Sequence, residues 1–247
     1  MKILVSGCSF SVGYGFASSS EDPNIWPNLV GKSLDAEVTN VGRAGYDNPG
    51  IFLNAINKFS KNEYDVILIQ ITSLNRLIVS PNMHSIINLT THVDLDRWKG
   101  RIDKVEYKTF CKNLVMLNRD FEHWKRLTNI IDTVQNLVEQ GYNIKFVNGL
   151  LNWNQSFFQD RVSNFSNQIL DVDELPDEDI QQGLDIIDRD KQKINLDLWI
   201  NPFDPFYKLQ VDNASSTDSH PGIESQKIFS ELIVNYLHQN NERKHHG

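Results

Sequence analysis

The chain has 247 residues, of which 40% are hydrophobic, 10% aromatic and 23% charged, as is typical of a globular protein with a full hydrophobic core. Its formal net charge of −8 argues against a nucleic-acid partner, because phosphate binding requires a basic surface. Its two cysteines, Cys8 and Cys111, are too few for a disulfide framework and favour a reducing compartment.

The N-terminus lacks the features of a secretion signal. Only three consecutive apolar residues precede Ser6, whereas the core of a signal peptide needs a longer apolar run. No apolar run in the chain approaches the roughly 20 residues that cross a bilayer. The sequence therefore predicts a cytoplasmic protein that does not associate with membranes.

The first predicted element is a strand at residues 3–5, Ile-Leu-Val, which stops abruptly at the polar, glycine-rich stretch SGCSFSVGYG. This pattern predicts a buried strand that delivers a tight loop to the edge of a sheet. We expect Ser9 to be exposed in that loop, at the carboxyl end of the strand, where open α/β sheets bind ligands. Cys8 is expected to be a small buried residue rather than a nucleophile.

The next elements alternate between helix and strand. Residues 24–34 place apolar side chains at helical spacing, and residues 37–41 predict a second strand. A glycine-containing polar loop at residues 42–48 follows. Pro49 then suits the first turn of a second helix.

The strongest strand signal is the segment YDVILIQI at residues 64–71, which is apolar on both faces, as central parallel strands are. Residues 80–105 are polar and give no clear prediction. A long helical pattern covers residues 109–140 and ends at Gly141, and residues 143–147 predict another strand.

This alternation of strands and helices predicts an α/β fold, a three-layer α/β/α sandwich with a mainly parallel, flavodoxin-like sheet. We expect one domain over residues 1–247, with poorly assigned insertions at about 80–105 and 151–212. The acidic stretch 171–190 does not match the spacing of a calcium-binding loop, and we interpret it as a solvated face. The sequence predicts no metal and no cofactor, and it leaves the oligomeric state open.

Near the C-terminus, residues 215–222 precede a closing helix and are predicted to form a loop. This segment places Asp218 two residues before His220. Because the carboxyl ends of parallel strands meet at one edge, we expect this pair to lie near Ser9. A serine hydroxyl needs a base such as histidine to take its proton, and the base needs an orienting carboxylate.

These features together resemble the SGNH, or GDSL-type, hydrolase family. Its sequence blocks are a serine in a Gly-Asp-Ser loop after the first strand, a glycine after the second, an asparagine after the third and an Asp/His pair near the C-terminus. Residues 7–10, Gly-Cys-Ser-Phe, resemble the first block with cysteine in place of aspartate, and residues 40–45 resemble the second. The resemblance implies that Ser9 is the nucleophile, that His220 is the general base, and that the backbone N–H groups of Ser9 and Gly45 form an oxyanion hole.

Two blocks depart from the family pattern. The usual pair is spaced D-x-x-H, which would place Thr217 at the carboxylate position, whereas this chain has D-x-H with Asp218. In the third block, the asparagine falls one position late. The residues of that block that could face the site as oxyanion or substrate-binding groups are Thr72, Ser73, Asn75 and Arg76.

The sequence thus predicts a serine esterase or acyl hydrolase that acts on a small acyl ester, such as an O-acetylated carbohydrate, through Ser9, His220 and Asp218. An acyltransferase that uses the same residues is a close alternative. Another is a non-catalytic, flavodoxin-like protein that binds a carbohydrate, nucleotide or phosphate. The stretch GCSFSVGYG lacks the lysine of a P-loop and does not fit G-x-G-x-x-G, which disfavours phosphate binding.

Overall fold

The structure is a computed structural model that describes residues 1–59, 63–74, 78–79, 87–88, 120–151 and 177–245. The predictions made for Cys111, for most of residues 80–105 and for residues 152–176 therefore lie outside the described residues.

A parallel sheet of four strands forms the centre of the molecule, in the order β2-β1-β3-β6. Its strands are β1 Lys2–Ser6, β2 Glu37–Asn40, β3 Val66–Ile71 and β6 Ile144–Asn148. Beyond β6, Trp199 forms a parallel bridge with Phe146 and occupies the place of a fifth strand. This order is that of flavodoxin-like sheets, so the predicted α/β fold is confirmed.

Helices cover both faces of the sheet and give the predicted three layers. They are α1 Trp26–Ser33, α2 Asn48–Ile56, α3 Asp120–Glu139, α4 Asp177–Lys191, α5 Phe206–Leu209 and α6 Ile223–His245. Helix α1 packs against α6, whereas α2 packs against α3, which also contacts α4. None of the helices in the described part of the chain combines the length and the apolarity needed to cross a membrane.

Two short antiparallel hairpins lie outside the central sheet. Strands β4 and β5 form the first, and β7 and β8 form the second. Their bounds are β4 Ile78–Val79, β5 Ile87–Asn88, β7 Asn213–Ser215 and β8 Asp218–Pro221.

The hydrophobic core lies on both sides of the sheet, because parallel strands between two helical layers are buried on both faces. All six residues of β3 are buried, as expected for a central strand. Full burial of one large apolar side chain contributes about 1.5–3 kcal/mol. The largest fully buried side chains are Trp26, Trp124, Trp199, Phe146, Phe206 and Phe229.

The expectation of a wholly solvated acidic face at residues 171–190 is wrong at Asp190. This residue lies on α4 and its side chain is only 8% exposed. Its carboxylate is 3.0 Å from Lys125 Nζ and accepts a hydrogen bond of 3.3 Å from Trp124 Nε1. A carboxylate can be buried when it is paired in this way, so Asp190 joins α4 to α3.

The start of α6 is fixed by Asp212, which lies outside the helix. Its carboxylate accepts hydrogen bonds from the backbone N–H groups of Glu224 (3.0 Å) and Ser225 (2.8 Å), which have no partner within the helix. Burial raises the pKa of Asp212, but hydrogen bonds from Ser225 and Glu224 outweigh it and hold the pKa below its ordinary value of 3.8. The ionised carboxylate therefore anchors the segment that follows β8.

We predict that Asp212→Ala destabilises the protein by about 1 kcal/mol at neutral pH, because it leaves two N–H groups without their acceptor. Because the pKa of Asp212 is lower in the folded state, its ionised carboxylate stabilises the fold fully at pH values above the ordinary pKa of 3.8. That stability is lost as the pH falls through the folded pKa. Urea unfolding of wild type and variant should therefore show a difference that shrinks below pH 3.8.

Glu231→Gln is the matched control, because it removes one exposed carboxylate from the same helix without removing a cap. It should change stability by less than about 0.5 kcal/mol. Equal destabilisation by Asp212→Ala at all pH values would contradict the role given to the ionised carboxylate.

Candidate active site

The serine loop, defined as residues 7–15, follows β1 and is held against the loop that follows β2. The side chain of Asn40 donates a hydrogen bond of 2.7 Å to the carbonyl of Ser11, and Arg43 N–H donates one of 3.0 Å to the carbonyl of Gly7. A Cβ atom at Gly42 would lie 2.5 Å from Ser11 Oγ. Glycine at position 42 therefore permits the close approach of the two loops.

Gln70 supports the serine loop from β3, a role that the sequence analysis missed. Its Oε1 accepts a hydrogen bond of 3.3 Å from the backbone N–H of Cys8, which is buried as predicted. Gln70 also lies close to two glycines. A Cβ atom added at Gly7 would lie 2.7 Å from Gln70 Oε1, and one added at Gly149 would lie 3.0 Å from Gln70 Cγ. The signal in the sequence was one polar residue within an otherwise apolar strand.

Ser9 is buried, so the expectation that it is exposed is wrong. The residue is only 4% exposed, because the loop folds back on itself through a hydrogen bond of 3.1 Å from Tyr14 N–H to the Ser9 carbonyl. Its Oγ has no hydrogen-bond partner, and His220 is therefore not bonded to it in this structure. A buried hydroxyl without a partner costs about 1–3 kcal/mol, and such atoms in native proteins call for an explanation.

Asp218 and His220 lie on strand β8, not in the predicted loop. The strand pairs with β7 in a tight hairpin, and its few polar residues gave no strand pattern in the sequence. Residues two apart on a strand lie on the same side. Asp218 Oδ1 is 2.6 Å from His220 Nδ1 and also accepts a hydrogen bond of 3.0 Å from the His220 backbone N–H.

The charge of Asp218 fixes the tautomer of His220. Burial raises the pKa of Asp218, but hydrogen bonds from the His220 backbone and ring outweigh it and hold the pKa below 3.8. The carboxylate is therefore ionised near neutral pH and can only accept hydrogen bonds. Nδ1 of a neutral His220 must then carry the proton, which leaves the lone pair on Nε2.

The serine loop packs directly against strand β8. The ring of Phe10 meets the His220 ring edge to face at 6.0 Å between centroids, and the ring of Tyr14 lies 4.8 Å from it. At Gly15, whose φ is +94°, a Cβ atom would lie 2.7 Å from Asp218 Oδ2. The fold thus brings Ser9, Asp218 and His220 into neighbouring segments.

The resemblance implies that the backbone N–H groups of Ser9 and Gly45 form an oxyanion hole. Gly45 has a φ of +82°, a conformation that favours glycine. The N–H groups of Ser9 and Gly45 donate no hydrogen bond to any other residue in the described part of the chain. Such donors can stabilise a developing negative charge.

The third loop, which follows β3 and begins at Thr72, is only partly described, because Asn75 and Arg76 lie outside the described residues. Thr72 is fully buried, and Asn48 at the start of α2 binds both its N–H (2.8 Å) and its carbonyl (3.2 Å). Thr72 Oγ1 is buried without a hydrogen-bond partner, and Ser73 is half-buried. Asn48 thus fixes the backbone of this loop, a role that no sequence pattern indicated.

Three carboxylates among the described residues already have partners. Asp218 binds His220, Asp212 binds the start of α6, and Asp190 pairs with Lys125. Within the described residues, no group of three or more His, Cys, Asp or Glu side chains is placed to hold a metal ion.

Gln226 links the serine loop to two helices and was also missed in the sequence. It is 1% exposed. Its Oε1 accepts a hydrogen bond of 2.8 Å from Trp26 N–H at the start of α1, and its Nε2 donates one of 3.4 Å to the Phe10 carbonyl. These partners are 200 and 216 residues away in the sequence, so no local pattern could indicate them.

No protein-family model and no curated protein matches the chain. It is similar to the solved structure of the psychrotrophic esterase EstA from Pseudoalteromonas sp., with 12% identity, a TM-score of 0.48 and 98% of both chains covered. A carbohydrate acetylesterase family member from Sinorhizobium meliloti is 15% identical, with a TM-score of 0.47 and coverage of 96% of this chain and 97% of that one.

A member of the lipolytic protein G-D-S-L family from Veillonella parvula is 14% identical, with a TM-score of 0.44 over 95% of this chain and 97% of that one. Its G-D-S-L designation names the family whose motif pattern the sequence resembles.

We predict that Gln226→Leu destabilises the protein by about 1–3 kcal/mol, because it leaves the buried Trp26 N–H without its acceptor. Hydrogen exchange of the Trp26 amide should accelerate in the variant, and urea unfolding should give the loss of stability. Ser230→Ala is the matched control, since this buried serine on the same helix bonds only to the Lys227 carbonyl. Unchanged exchange at Trp26 would contradict the contact described.

Proposed function

We propose that the protein is a serine hydrolase that cleaves a small acyl ester, with Ser9 as nucleophile, His220 as general base and Asp218 as the orienting carboxylate. The observation that carries this proposal is the 2.6 Å contact between an ionised Asp218 and His220 Nδ1, on a strand that packs against the serine loop. This contact leaves the lone pair of Nε2 available as a base.

In the first step, Ser9 Oγ attacks the carbonyl carbon of the ester while His220 Nε2 takes the serine proton. The bond between the carbonyl carbon and the alcohol oxygen then breaks, and His220 gives its proton to that oxygen. The alcohol leaves, and the acyl group remains as an ester on Ser9. The hydrogen bond between Ser9 and His220 forms in the substrate complex, where catalytic contacts commonly tighten.

In the second step, a water molecule attacks the acyl group while His220 takes one of its protons. The bond to Ser9 breaks, the hydroxyl recovers its proton from His220, and the carboxylic acid leaves. Negative charge develops on the carbonyl oxygen in both steps. We propose that the N–H groups of Ser9 and Gly45 stabilise it, since losing one such donor typically costs about 10²–10³ in rate.

The same proposal assigns the remaining polar groups of the third loop to substrate binding. Thr72 is the best supported of them, because its buried Oγ1 lacks a partner in the structure. Ser73, Asn75 and Arg76 are further candidates in the same loop. The proposed substrate is a short acyl ester, such as an O-acetyl group on a carbohydrate.

We predict that a fluorophosphonate probe labels wild type at Ser9, and that Ser9→Ala and His220→Ala lower the hydrolysis of p-nitrophenyl acetate by about 10³-fold or more. Peptide mass spectrometry locates the label, and kcat/KM measures the loss. Asp218→Asn should lower kcat by a comparable factor, because it favours the wrong tautomer of His220.

Cys8→Ala is the matched control, since it removes the neighbouring thiol and leaves the Ser9 hydroxyl. It should keep both labelling and turnover within about threefold of wild type, given the weak contacts of a buried thiol. Full activity in Ser9→Ala or in His220→Ala would overturn the proposal. Labelling of Ser9 with acyl transfer to an added alcohol, rather than to water, would identify an acyltransferase instead.

A further inference from the structure

Tyr14 is a large aromatic residue that the proposed mechanism does not use. Its side chain is 52% exposed, whereas Ser9 and Phe10 of the same loop are buried. One part of the Tyr14 ring lies against the His220 ring, with 4.8 Å between centroids and an angle of 49° between planes. Tyr14 is therefore a partly solvent-facing apolar surface directly beside the proposed base.

The backbone holds Tyr14 in this place through three features. Its N–H donates a hydrogen bond of 3.1 Å to the carbonyl of Ser9, which connects it to the proposed nucleophile. It is flanked by Gly13 and Gly15, whose φ values of +63° and +94° are in the left-handed region that favours glycine. A side chain at Gly15 would also collide with Asp218.

The chemistry of the first step decides which part of a substrate lies beside Tyr14. The alcohol oxygen must come within hydrogen-bond distance of His220 Nε2 in order to receive its proton. The ring of Tyr14, which packs on His220, is therefore among the groups that the alcohol part can contact. After the alcohol leaves, only the acyl group and water occupy the site, so Tyr14 contacts the alcohol part and acts on acylation.

We infer that Tyr14 binds the alcohol portion of the substrate and selects alcohols whose ring offers an apolar face, such as a pyranose or an aryl group. Covering an exposed aromatic ring with another flat apolar group favours binding, because apolar surface is removed from water. Pairs of aromatic rings contribute binding free energy beyond that of the buried area. This inference rests on the proposed function and deepens it. It makes Tyr14 a residue that determines specificity for the leaving group.

The test compares acetyl esters that differ only in their alcohol: phenyl acetate, an O-acetylated methyl glucoside and ethyl acetate. In Tyr14→Ala, the ratio of kcat/KM for either ring ester to that for ethyl acetate should fall about 10-fold. Tyr14→Phe should keep the wild-type ratio, because the ring is retained. Rapid kinetics with phenyl acetate should place the loss in the acylation burst rather than in the later, common deacylation.

Phe203→Ala is the matched control, because Phe203 is a similarly exposed aromatic residue, at 59%, and should leave the ratio unchanged. Tyr14→Leu provides a second variant that keeps apolar volume, and it should show the same fall if Tyr14→Ala does not fold. An unchanged ratio in both variants would overturn the inference, as would an equal loss for all three esters, which would show that Tyr14 only positions His220.

The failure of this inference differs from the failure of the proposed function. If wild type hydrolyses none of the esters and Ser9 is not labelled, the proposed function itself fails and the inference fails with it. If wild type hydrolyses the esters through Ser9 and the Tyr14 variants keep the wild-type ratio, only the inference is wrong.

Discussion

The packing of the serine loop against strand β8 is the constraint on which the rest of the site depends. The two segments come from opposite ends of the chain and meet through the rings of Phe10 and Tyr14 on His220, and through Gly15 on Asp218. The position of β1 is set by the central sheet, whereas the position of β8 is set by its connection to α6. Any movement of α6 relative to the sheet would therefore separate the proposed nucleophile from the proposed base.

Three polar side chains oppose such a movement, of which Gln70 and Gln226 are buried. Asp212 fixes the start of α6, Gln226 joins α6 to α1 and to the serine loop, and Gln70 binds the Cys8 N–H from the middle of the sheet. Buried hydrogen bonds add little net stability on average, but their loss is costly because it leaves an unpaired group in the interior. Such contacts therefore specify one relative position of the packed elements. The buried Ser9 Oγ has no hydrogen-bond partner and therefore lowers the stability of the fold. A destabilising group of this kind is characteristic of residues retained for function.

The sequence allowed the sheet to be predicted because each element carries a strong local signal. The apolar segment at residues 64–71 and the helical spacing before Gly141 are examples, and the alternation of strands and helices then implies the parallel order. The sequence also predicted that His220 lies near the serine loop, and the rings of Phe10 and Tyr14 do contact His220. It did not reveal that β8 is a strand, because a short polar hairpin has no apolar periodicity.

Other features could not be predicted because their cause lies in distant partners. Gln226 and Asp190 are polar residues on helices, and their burial is explained by distant partners, which include Trp26 for Gln226 and Lys125 for Asp190. Likewise, Ser9 is buried by the way its own loop folds back, which depends on glycine conformations rather than on side-chain type. The sequence pattern thus predicts the sheet and its helices, whereas the packing of individual polar groups is seen only in the three-dimensional structure.

In the proposed mechanism, the acyl group passes through the hydroxyl of Ser9. The most direct test is an acid quench of the wild-type protein during turnover of p-nitrophenyl acetate, followed by peptide mass spectrometry. One acetyl group is expected on Ser9 of the wild-type protein, and none is expected in Ser9→Ala. Acetylation of Cys8 instead, or turnover without any acetyl group on the serine loop, would contradict it.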